Sequence, residues 1–366
     1  MQINLTRDEL LKPLSYVAGV VEKRQTLPVL AYVLLRQHDS AMTVTGTDLE
    51  IEVVATIKKA DIGDAELTLP ARKLLDICRA LPGGAEIAIR KEGEKAVIKS
   101  GKSRFTLATM PVTDFPYIQP LQWEQVLTIK RSDLKLLFEQ THFCMAQQDV
   151  RYYLNGLLLE FTGKIIRAVA TDGHRMAISE VITEKGVTAD KQVIVPRKGI
   201  QEMLRLLDDT GDFVEIQIGI NHLRAQTSDF AFTSKLIDGR YPDYTKVIPQ
   251  SQSKLLKLRR ETLRETLARV AILSSEKYRG VRLNLGNKIL RVTAHNPEQE
   301  EAQEEIGTDF VGEGMEIGFN VNYMIDAISA LRAEQIIFGL NDPNTSCTFA
   351  SPDTHYPLYV IMPMRL

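Results

Sequence analysis

Three stretches of the chain share one pattern, in which an apolar strand, a short turn and a second apolar strand lead to an Asp or an Asn. The aligned residues are Asp48, Asp172 and Asn296, so the spacing is 124 residues in both intervals. A leucine lies 13 positions before each of them, at Leu35, Leu159 and Leu283. Self-similarity at a fixed period predicts three copies of one structural unit.

Each unit also contains two helical patterns. The first has apolar residues at about i, i+3, i+4 and i+7 and covers residues 6–21, 132–146 and 260–273. Thr6 and Ser132 are expected to be N-caps of two of these helices. The second pattern follows a strand and covers residues 66–82, 192–209 and 316–335. Pro70 and Pro196 stand at that strand-to-helix junction, where a missing N–H costs little.

The order helix, strands, helix, strands in each unit predicts three α+β domains with antiparallel sheets. The length agrees, because 366 residues are too many for one typical core. The joins near residues 124 and 250 contain Pro, Gln or Ser and have no strong apolar period. We therefore expect domains at residues 1–124, 125–250 and 251–366.

Composition restricts the class of protein. The formal net charge of −2 argues against a chain that holds nucleic acid through its total charge. No apolar run approaches the roughly 20 residues needed to span a bilayer, and MQINLTRDELLKP lacks the pattern of a signal peptide. The cysteines, Cys78, Cys144 and Cys347, are odd in number and far apart, so no disulfide framework is readable. A reducing cytoplasm is the expected location.

The stretch 169-VATDGHRM-176 places Asp172, His174 and Arg175 together, as an acid–base active site would. The repeat argues against this interpretation, because the third copy has Asn296, whose amide cannot titrate. Asp and Asn can both cap a turn through a short side-chain oxygen. We therefore expect Asp172 to end a strand in a turn. A three-domain hydrolase that uses Asp172 and His174 is the alternative.

Other motifs of catalysis are absent, since the sequence contains no HxxxH pair, GxxxxGK[ST] loop or GxSxG elbow. The acidic stretch 298-EQEEAQEE-305 is interpreted as a solvated or partner-facing surface rather than a metal site. Arg72-Lys73 and Arg197-Lys198 recur just after the equivalent prolines. They form either ordinary solvated helix faces or one surface that faces polyanionic phosphate, and their recurrence favours the second interpretation.

The chain resembles the bacterial DNA polymerase III beta subunits, the sliding clamps, from 7-RDELLKPL-14 to 360-VIMPMRL-366. Specific matching motifs include 70-PARKLLDICR-79, 145-MAQQDVRYYLNG-156, 170-ATDGHR-175, 232-FTSKLIDGRYPDY-244 and 295-HNPEQEEAQE-304. The resemblance implies an α+β fold of three repeated clamp domains, with helices lining an inner face and antiparallel sheets outside. It also implies a head-to-tail dimeric ring that encircles double-stranded DNA and confers processivity on the replicative polymerase, without catalysis, metal or cofactor.

Six residues match positions that contact DNA in the family: Arg24, Arg72, Gln148, Tyr152, Tyr153 and Lys198. Arg and Lys can meet phosphate oxygens, whereas Tyr can stack or donate its hydroxyl. Gln147 replaces a His that the family often has beside Gln148. The alternative role for Tyr152 and Tyr153 is core filling.

The resemblance further implies a hydrophobic cleft that accepts short clamp-binding peptides. Its partners are the replicative polymerase alpha subunit, the clamp-loader delta subunit, other DNA polymerases and repair proteins. The matching positions are Leu154, Thr171, Gly173, His174, Arg175, Met176, Pro242, Val247, Ser346, Val360, Met362, Pro363, Met364, Arg365 and Leu366. Exposed methionines suit a site shared by many peptides, because they repack readily. Met176, Lys246 and Asn344 depart from the usual family residues, which bears on peptide preference.

The implied ring contact pairs Phe105 and Leu107 of one copy with Ile272 and Leu273 of the other. Across the same contact, the cations of Lys73 and Arg104 are expected to face three carboxylates: Glu298, Glu300 and Glu304. A monomeric peptide-binding adaptor is the alternative from another class. The mass of the particle in solution separates these two hypotheses. No membrane partner is expected.

Overall fold

The structure is a computed structural model that describes residues 2–21, 27–38, 41–58, 64–118, 121–207 and 212–365. Within these residues, no helix is both long and apolar enough to cross a membrane. The predicted helix–strand alternation is present in all three repeats, with one addition. A strand precedes the first helix of each repeat, so the order is strand, helix, four strands, helix and three strands.

The elements of the three repeats correspond one to one. The first repeat consists of β1 (Gln2–Thr6), α1 (Arg7–Val17), β2 (Tyr32–His38), β3 (Ala41–Thr47), β4 (Ile51–Lys58), β5 (Ala65–Pro70), α2 (Ala71–Ala80), β6 (Glu86–Glu92), β7 (Lys95–Ser100) and β8 (Ser103–Ala108). The second consists of β9 (Gln125–Lys130), α3 (Arg131–Glu139), β10 (Gly156–Thr162), β11 (Ile165–Thr171), β12 (Arg175–Ile182), β13 (Lys191–Pro196), α4 (Arg197–Leu206), β14 (Phe213–Ile218), β15 (His222–Gln226) and β16 (Phe230–Lys235). The third consists of β17 (Lys254–Arg259), α5 (Arg260–Val270), β18 (Gly280–Gly286), β19 (Ile289–His295), β20 (Glu301–Gly307), β21 (Met315–Asn320), α6 (Val321–Ala330), β22 (Gln335–Leu340), β23 (Cys347–Ala350) and β24 (Leu358–Ile361).

Each of the three predicted turn residues caps its turn through the side-chain Oδ1 atom. The Asp48 Oδ1 atom accepts hydrogen bonds from the backbone N–H groups of Glu50 and Ile51, at 2.9 and 2.7 Å. Asp172 Oδ1 accepts from the two equivalent N–H groups, at 2.9 and 3.0 Å. Asn296 Oδ1 accepts from Glu300 at 2.8 Å, across a turn that is one residue longer. The turn interpretation of the repeat is therefore confirmed.

Helix starts follow the sequence less closely. Thr6 is the predicted N-cap of α1 and forms a capping box with Glu9. The prediction for Ser132 is wrong, because α3 already begins at Arg131. An arginine in fact begins the first helix of every repeat, and in the first repeat the Arg7 Nε atom donates to the Cys78 carbonyl at 3.0 Å. Arg260 donates likewise to the Leu331 carbonyl at 2.5 Å. The cation thus satisfies a carbonyl at the C-terminus of the second helix.

Backbone contacts divide the chain into two compact units, of which the first contains Met1–Ser132 and Gln201–Leu236. This unit holds a four-stranded sheet of order β1-β6-β7-β8 and an eight-stranded sheet of order β5-β2-β3-β4-β16-β15-β14-β9. All strand pairs are antiparallel, and β4 pairs with β16 in the middle of the larger sheet. Two repeats are therefore joined edge to edge by backbone hydrogen bonds.

The second unit contains Asp133–Ile200 and Ile237–Leu366. Its eight-stranded sheet has the order β13-β10-β11-β12-β24-β23-β22-β17, and β12 pairs with β24 as β4 does with β16. Its four-stranded sheet has the order β20-β19-β18-β21. Strand β8 is equivalent to β16 and β24, and β20 is equivalent to β4 and β12. Both β8 and β20 lie at the ends of their sheets. The predicted three-domain boundaries are not the lines along which these units divide, and the central repeat contributes to both units.

We predict that Asp48→Asn leaves the free energy of unfolding within about 0.5 kcal/mol, because Asn keeps the Oδ1 acceptor, as Asn296 does in the longer turn of the third repeat. Asp48→Ala removes the acceptor of two backbone N–H groups and is expected to cost about 1 kcal/mol. Urea unfolding of the two variants beside the unmodified chain measures the difference. Equal destabilisation by Asn and Ala would contradict the capping role.

Candidate functional site

A cleft of about 150 Å³ lies in the second unit, over the joint between β12 and β24. Its floor is apolar, because the buried side chains of Met176 and Val360 are cross-strand partners there and Leu154 packs beside them. The lining consists of Arg151, Leu154, Thr171, Gly173, Arg175, Met176, Pro242, Asp243, Tyr244, Val247, Val360 and Met362. A concave apolar surface with a few fixed polar groups is typical of a ligand site.

The joint in the first unit has a different surface at the equivalent positions. There Glu52 of β4 pairs with Thr233 of β16, where the cleft has Met176 and Val360. The buried Glu52 carboxylate accepts a hydrogen bond from the Ile118 N–H at 3.0 Å, and burial raises its pKa. The polar Glu52–Thr233 pair, with the Ile118 backbone bonded to it, leaves no apolar floor at this joint. The residues of the joint thus decide which one carries an apolar cleft.

One wall of the cleft is the Asp172 turn. The Thr171 Oγ1 atom donates to the Arg175 carbonyl at 2.7 Å and accepts from the Gly173 N–H at 3.0 Å. Gly173 has a φ of 89°, and a Cβ at this position would lie 3.0 Å from Arg151. A glycine is therefore needed, both for the left-handed backbone and for the close approach of the guanidinium.

Arg175 holds this wall in place. Its guanidinium pairs with Asp172 at 3.2 Å and with Asp326 of α6 at 2.5 Å. It also donates to the Phe143 carbonyl at 2.8 Å and stacks over the Tyr323 ring at 4.3 Å from the centroid. These partners hold the guanidinium of Arg175 in place. The side chain therefore forms a fixed part of the cleft wall.

The same bonds bear on the acid–base alternative. Asp172 Oδ1 is engaged by two backbone N–H groups and Oδ2 by Arg175. His174 is exposed, and its carbonyl accepts a hydrogen bond from the Met362 N–H at 2.8 Å. Asp172 is thus committed to the turn, which is the role that the repeat predicts.

The opposite wall includes Tyr244, which sequence reasoning missed. Its hydroxyl donates to Glu160 at 2.5 Å and accepts from Arg167 at 3.0 Å. Burial and the Glu160 carboxylate raise the pKa of Tyr244 to about 12, so the hydroxyl keeps its proton at neutral pH. Arg167 also pairs with Glu180 of β12 and stacks on the Tyr356 ring. The network fixes the tyrosine ring that lines the cleft.

The loop before β10 connects the cleft to an exposed surface. Arg151 lines the cleft and forms a bidentate salt bridge with Asp149, with N–O distances of 3.0 and 2.9 Å. This pair lowers the pKa of Asp149 to about 2. The Asn155 side chain bonds both the N–H and the carbonyl of Asp149, at 2.9 Å each. These bonds order a loop that exposes Gln148, which has a φ of 57°.

The residues predicted to contact DNA differ in exposure. Arg72 on α2 is exposed, whereas Lys198 on α4 is partly buried. Tyr152 is 57% exposed, but Tyr153 packs against the core beside the cleft. Core packing therefore describes Tyr153 and not Tyr152. Arg24 lies outside the described residues.

The predicted cleft residues divide into two groups. Nine of the fifteen line the cavity: Leu154, Thr171, Gly173, Arg175, Met176, Pro242, Val247, Val360 and Met362. Ser346, His174, Pro363, Met364 and Arg365 do not line it, and Leu366 lies outside the described residues. The Met364 N–H instead donates to the Gly318 carbonyl of β21 at 2.8 Å. Arg151, Asp243 and Tyr244 were missed, although Asp243 and Tyr244 end the motif 232-FTSKLIDGRYPDY-244.

The residues predicted at a contact between copies lie near β8 and β20. On one side Arg104 is exposed, Phe105 half-buried and Leu107 buried, and Lys73 is exposed on α2. On the other side Ile272 is 75% exposed and Leu273 half-buried. Glu298 and Glu300 are exposed, while Glu304 pairs with Arg269 at 2.6 Å.

A second cavity of about 490 Å³ is wider and more polar. It lies beside β17 and β23 and is lined by residues 248–252 and 350–355 among others. It contains none of the predicted site residues and lacks the apolar floor of the cleft. The smaller cleft is therefore the better candidate for binding an apolar segment.

Comparison with known proteins places these features in a family context. Three family models match the chain: the N-terminal, central and C-terminal domains of the DNA polymerase III beta subunit, at residues 1–119, 128–243 and 245–365. The chain is 49% identical to the beta sliding clamp of Pseudomonas aeruginosa and 46% identical to that of Escherichia coli, in each case over 100% of both chains. A crystal structure of the Pseudomonas aeruginosa sliding clamp with a ligand superposes with a TM-score of 0.97, at 49% identity and full coverage of both chains.

Proposed function

Because the chain belongs to the DNA polymerase III beta subunit family, the beta sliding clamps, we propose that two copies close head to tail into a ring around double-stranded DNA. The function of the chain is that of a processivity clamp in DNA replication, and it is a non-catalytic polymerase subunit. The hydrolase alternative is therefore wrong. The proposal concerns how the ring closes, how it holds DNA and where partners bind.

The observation that carries the dimer is the pair of sheet ends at β8 and β20. Within the chain, the equivalents of β8 pair with the equivalents of β20, as β16·β4 and β24·β12. Strands β8 and β20 lack such a neighbour among the described residues of the chain. An unpaired edge presents a row of free N–H and C=O groups, which favours pairing with another chain. A second copy supplies the matching edge to each.

The register of this third joint follows from the other two. The Lys99–Arg104 pair of β7·β8 is equivalent to the Gln226–Ala231 pair of β15·β16. The His295–Glu301 pair of β19·β20 is equivalent to the Thr47–Glu52 pair of β3·β4. Since Ala231 pairs with Val54, Arg104 is expected opposite Gln303 of the second copy.

One position further along, this register places Phe105 opposite Ala302. The equivalent pairs are Phe232 with Val53 and Tyr359 with Ala177, so an aromatic ring faces a small or β-branched residue at both internal joints. Phe232 is fully buried and Tyr359 nearly so, whereas Phe105 is half-buried in the single chain. Burying the rest of its ring supports association, at about 25 cal/mol per Å² of apolar surface.

Charge supports the same pairing. Arg104 and Lys73 lie on the side of β8, and Glu298, Glu300 and Glu304 on the side of β20. Glu300 and Glu304 already have partners within the chain, Asn296 and Arg269 respectively. Exposed ion pairs contribute about 0–1 kcal/mol each, so the apolar contacts of Leu107, Ile272 and Leu273 and the strand pairing dominate.

We propose that the ring is held on DNA by topology and only weakly by contacts. The candidate contacts are Arg24, Arg72, Gln148, Tyr152, Tyr153 and Lys198. With a net charge of −2, the chain has a small electrostatic attraction to the duplex as a whole. A closed ring therefore slides while the polymerase it tethers rebinds the same template. The site of action is the cytoplasm.

We predict that clamps loaded on a nicked circular duplex stay bound during gel filtration and are lost when the same DNA is linear. The physical reason is that a ring leaves DNA only over a free end. Blocking both ends of the linear duplex with bound protein is the control, and it is expected to restore retention. Equal loss from circular and linear DNA would refute topological binding.

For the cleft, we propose short apolar peptides of the replicative polymerase alpha subunit, the clamp-loader delta subunit, and other polymerases and repair proteins. The apolar floor of Leu154, Met176 and Val360 supports this, because a peptide that buries apolar side chains there is driven by desolvation. Met362 at the rim is 38% exposed and can adapt to different peptides. Of the residues that depart from the usual family residues, Met176 lies in the cleft floor, whereas Lys246 and Asn344 lie outside the cavity lining.

Val247→Glu is expected to weaken binding of a fluorescent peptide from the polymerase alpha subunit about tenfold or more. Val247 is 41% exposed at the cleft, so the variant folds while placing a carboxylate where apolar side chains bind. Val150→Glu is the matched control, because Val150 is 95% exposed and outside the cleft. Fluorescence anisotropy gives both affinities, and equal affinities for the two variants would contradict the proposed site.

A further inference from the structure

An arginine connects the helices of neighbouring repeats in the first unit. The guanidinium of Arg205 on α4 donates to the carbonyls of Ser15 and Tyr16 on α1, at 2.8 and 2.5 Å. Its Nε atom is held by Glu202, one turn earlier on the same helix, at 2.8 Å. Helix α1 has no basic residue in its own last turn. Arg205 therefore supplies the positive charge that the C-terminus of α1 favours.

The second unit has a related contact. Arg332 follows α6 and pairs with Glu139, the last residue of α3, at 3.2 Å. In both units, an arginine at or just beyond the second helix of one repeat thus reaches the C-terminal turn of the first helix of the preceding repeat. Helix α2 belongs to the first of the three repeats, so the described residues offer it no first helix of a preceding repeat.

Helix α2 nevertheless has the residues for this contact. Helix α4 begins at Arg197 and α2 at Ala71, an offset of 126 residues, which aligns Arg79 with Arg205 and Asp76 with Glu202. Both α2 residues are exposed. Across the described residues of the chain, neither of them makes a hydrogen bond or ion pair. The first repeat thus has an equivalent arginine and carboxylate, Arg79 and Asp76, but no helix C-terminus for the arginine to contact among the described residues.

The corresponding target is the C-terminus of α5. Helices α1 and α5 begin at Arg7 and Arg260, so Ala268 and Arg269 stand where Ser15 and Tyr16 stand in the first repeat. Ser15 and Tyr16 are half-buried beneath Arg205, whereas Ala268 and Arg269 are exposed. Among the described residues, this end of α5 is therefore exposed, and the Arg269 carbonyl accepts only the backbone N–H of Ala271. It lies beside the residues Ile272 and Leu273 of the proposed ring contact.

Two differences between the joints bear on the fit. Gly19 lies so close to helix α4 that a Cβ there would be 2.2 Å from the Glu202 Oε2 atom and 2.5 Å from the Arg205 Nε atom, and Ile272 stands at the position of Gly19. Asp76 is one methylene shorter than Glu202, which relieves the contact with the carboxylate, and the Arg79 guanidinium has to lie further from Ile272 than Arg205 lies from Gly19. The charge of Arg269 does not oppose a second guanidinium, because Glu304 holds it at 2.6 and 2.8 Å.

We propose that Arg79 of one copy caps helix α5 of a second copy, by donating to the carbonyls of Ala268 and Arg269. The proposal rests on the dimer proposed above and adds a contact to it. It assigns Arg79 to the joint between copies rather than to the phosphate-facing helix surface. Arg79 is a positioning residue, since it fixes the angle at which α2 meets α5.

The test is the dissociation constant of the dimer without DNA, measured by sedimentation velocity over a dilution series. Arg79→Ala is expected to raise this constant about tenfold, which corresponds to about 1.4 kcal/mol. Arg79→Lys keeps a donor and is expected to recover part of the loss. Arg90→Ala, a change at an exposed arginine of β6, is the matched control and is expected to stay within about twofold.

The possible results separate the two proposals. An unmodified chain that stays monomeric at every concentration would refute the dimer, and the Arg79 contact with it. A normal dimer whose dissociation constant is unchanged in Arg79→Ala would refute the contact alone. Loss of retention on circular DNA without a change in that constant would place Arg79 on the DNA-facing surface and likewise overturn the contact.

Discussion

Backbone pairing between strand edges is the interaction on which the rest of this structure depends. Each repeat contributes two groups of four strands, and each group ends in an edge strand. The edge strands of one kind are β4, β12 and β20, and those of the other kind are β8, β16 and β24. Pairing β4 with β16 and β12 with β24 satisfies four of these six edges. Three repeats in one chain therefore leave one edge strand of each kind unpaired within the described residues, β8 and β20. Both the proposed ring and the position of the cleft follow from this pairing of edges.

The repeats share a backbone plan but differ in the side chains at their joints. The Met176–Val360 pair makes an apolar floor, whereas the Glu52–Thr233 pair is polar and engaged by Ile118. The proposed third joint aligns Glu301 with Thr106 at these positions. Among the described residues, only the joint between β12 and β24 combines an apolar floor with a glycine turn. Divergence at two residues of one strand pair therefore separates the proposed binding surface from a joint with a polar surface.

Sequence reasoning predicted what depends on local pattern. The spacing of Asp48, Asp172 and Asn296 predicted the repeat, the turns and the strands around them, because period and capping chemistry are readable in one segment. It also predicted nine residues of the cleft lining through resemblance. The strand before each first helix was missed, since its pairing partner lies some 80 residues away in the chain.

The remaining differences have the same physical origin. Arg175 lines the cleft as predicted, but sequence reasoning missed that its guanidinium is bound by Asp326, a residue 151 positions away. Tyr244 was missed because its role depends on Glu160 and Arg167, which only the folded sheet brings to it. Arg131 displaced Ser132 at the start of α3, and its Nε atom donates to the Phe213 carbonyl at 3.4 Å. Contacts between distant segments leave no periodic signal.

The most direct measurement of the central claim is site-specific cross-linking between copies. Arg104→Cys with Gln303→Cys places two thiols at the expected cross-strand pair, at a separation that suits a disulfide. The native cysteines are buried, so background reaction is low. Under mild oxidation, a covalent dimer is predicted to form in high yield, while Arg104→Cys with Glu301→Cys, two residues out of register, forms little. A monomeric product from the first pair, or equal yields from both, would contradict the account.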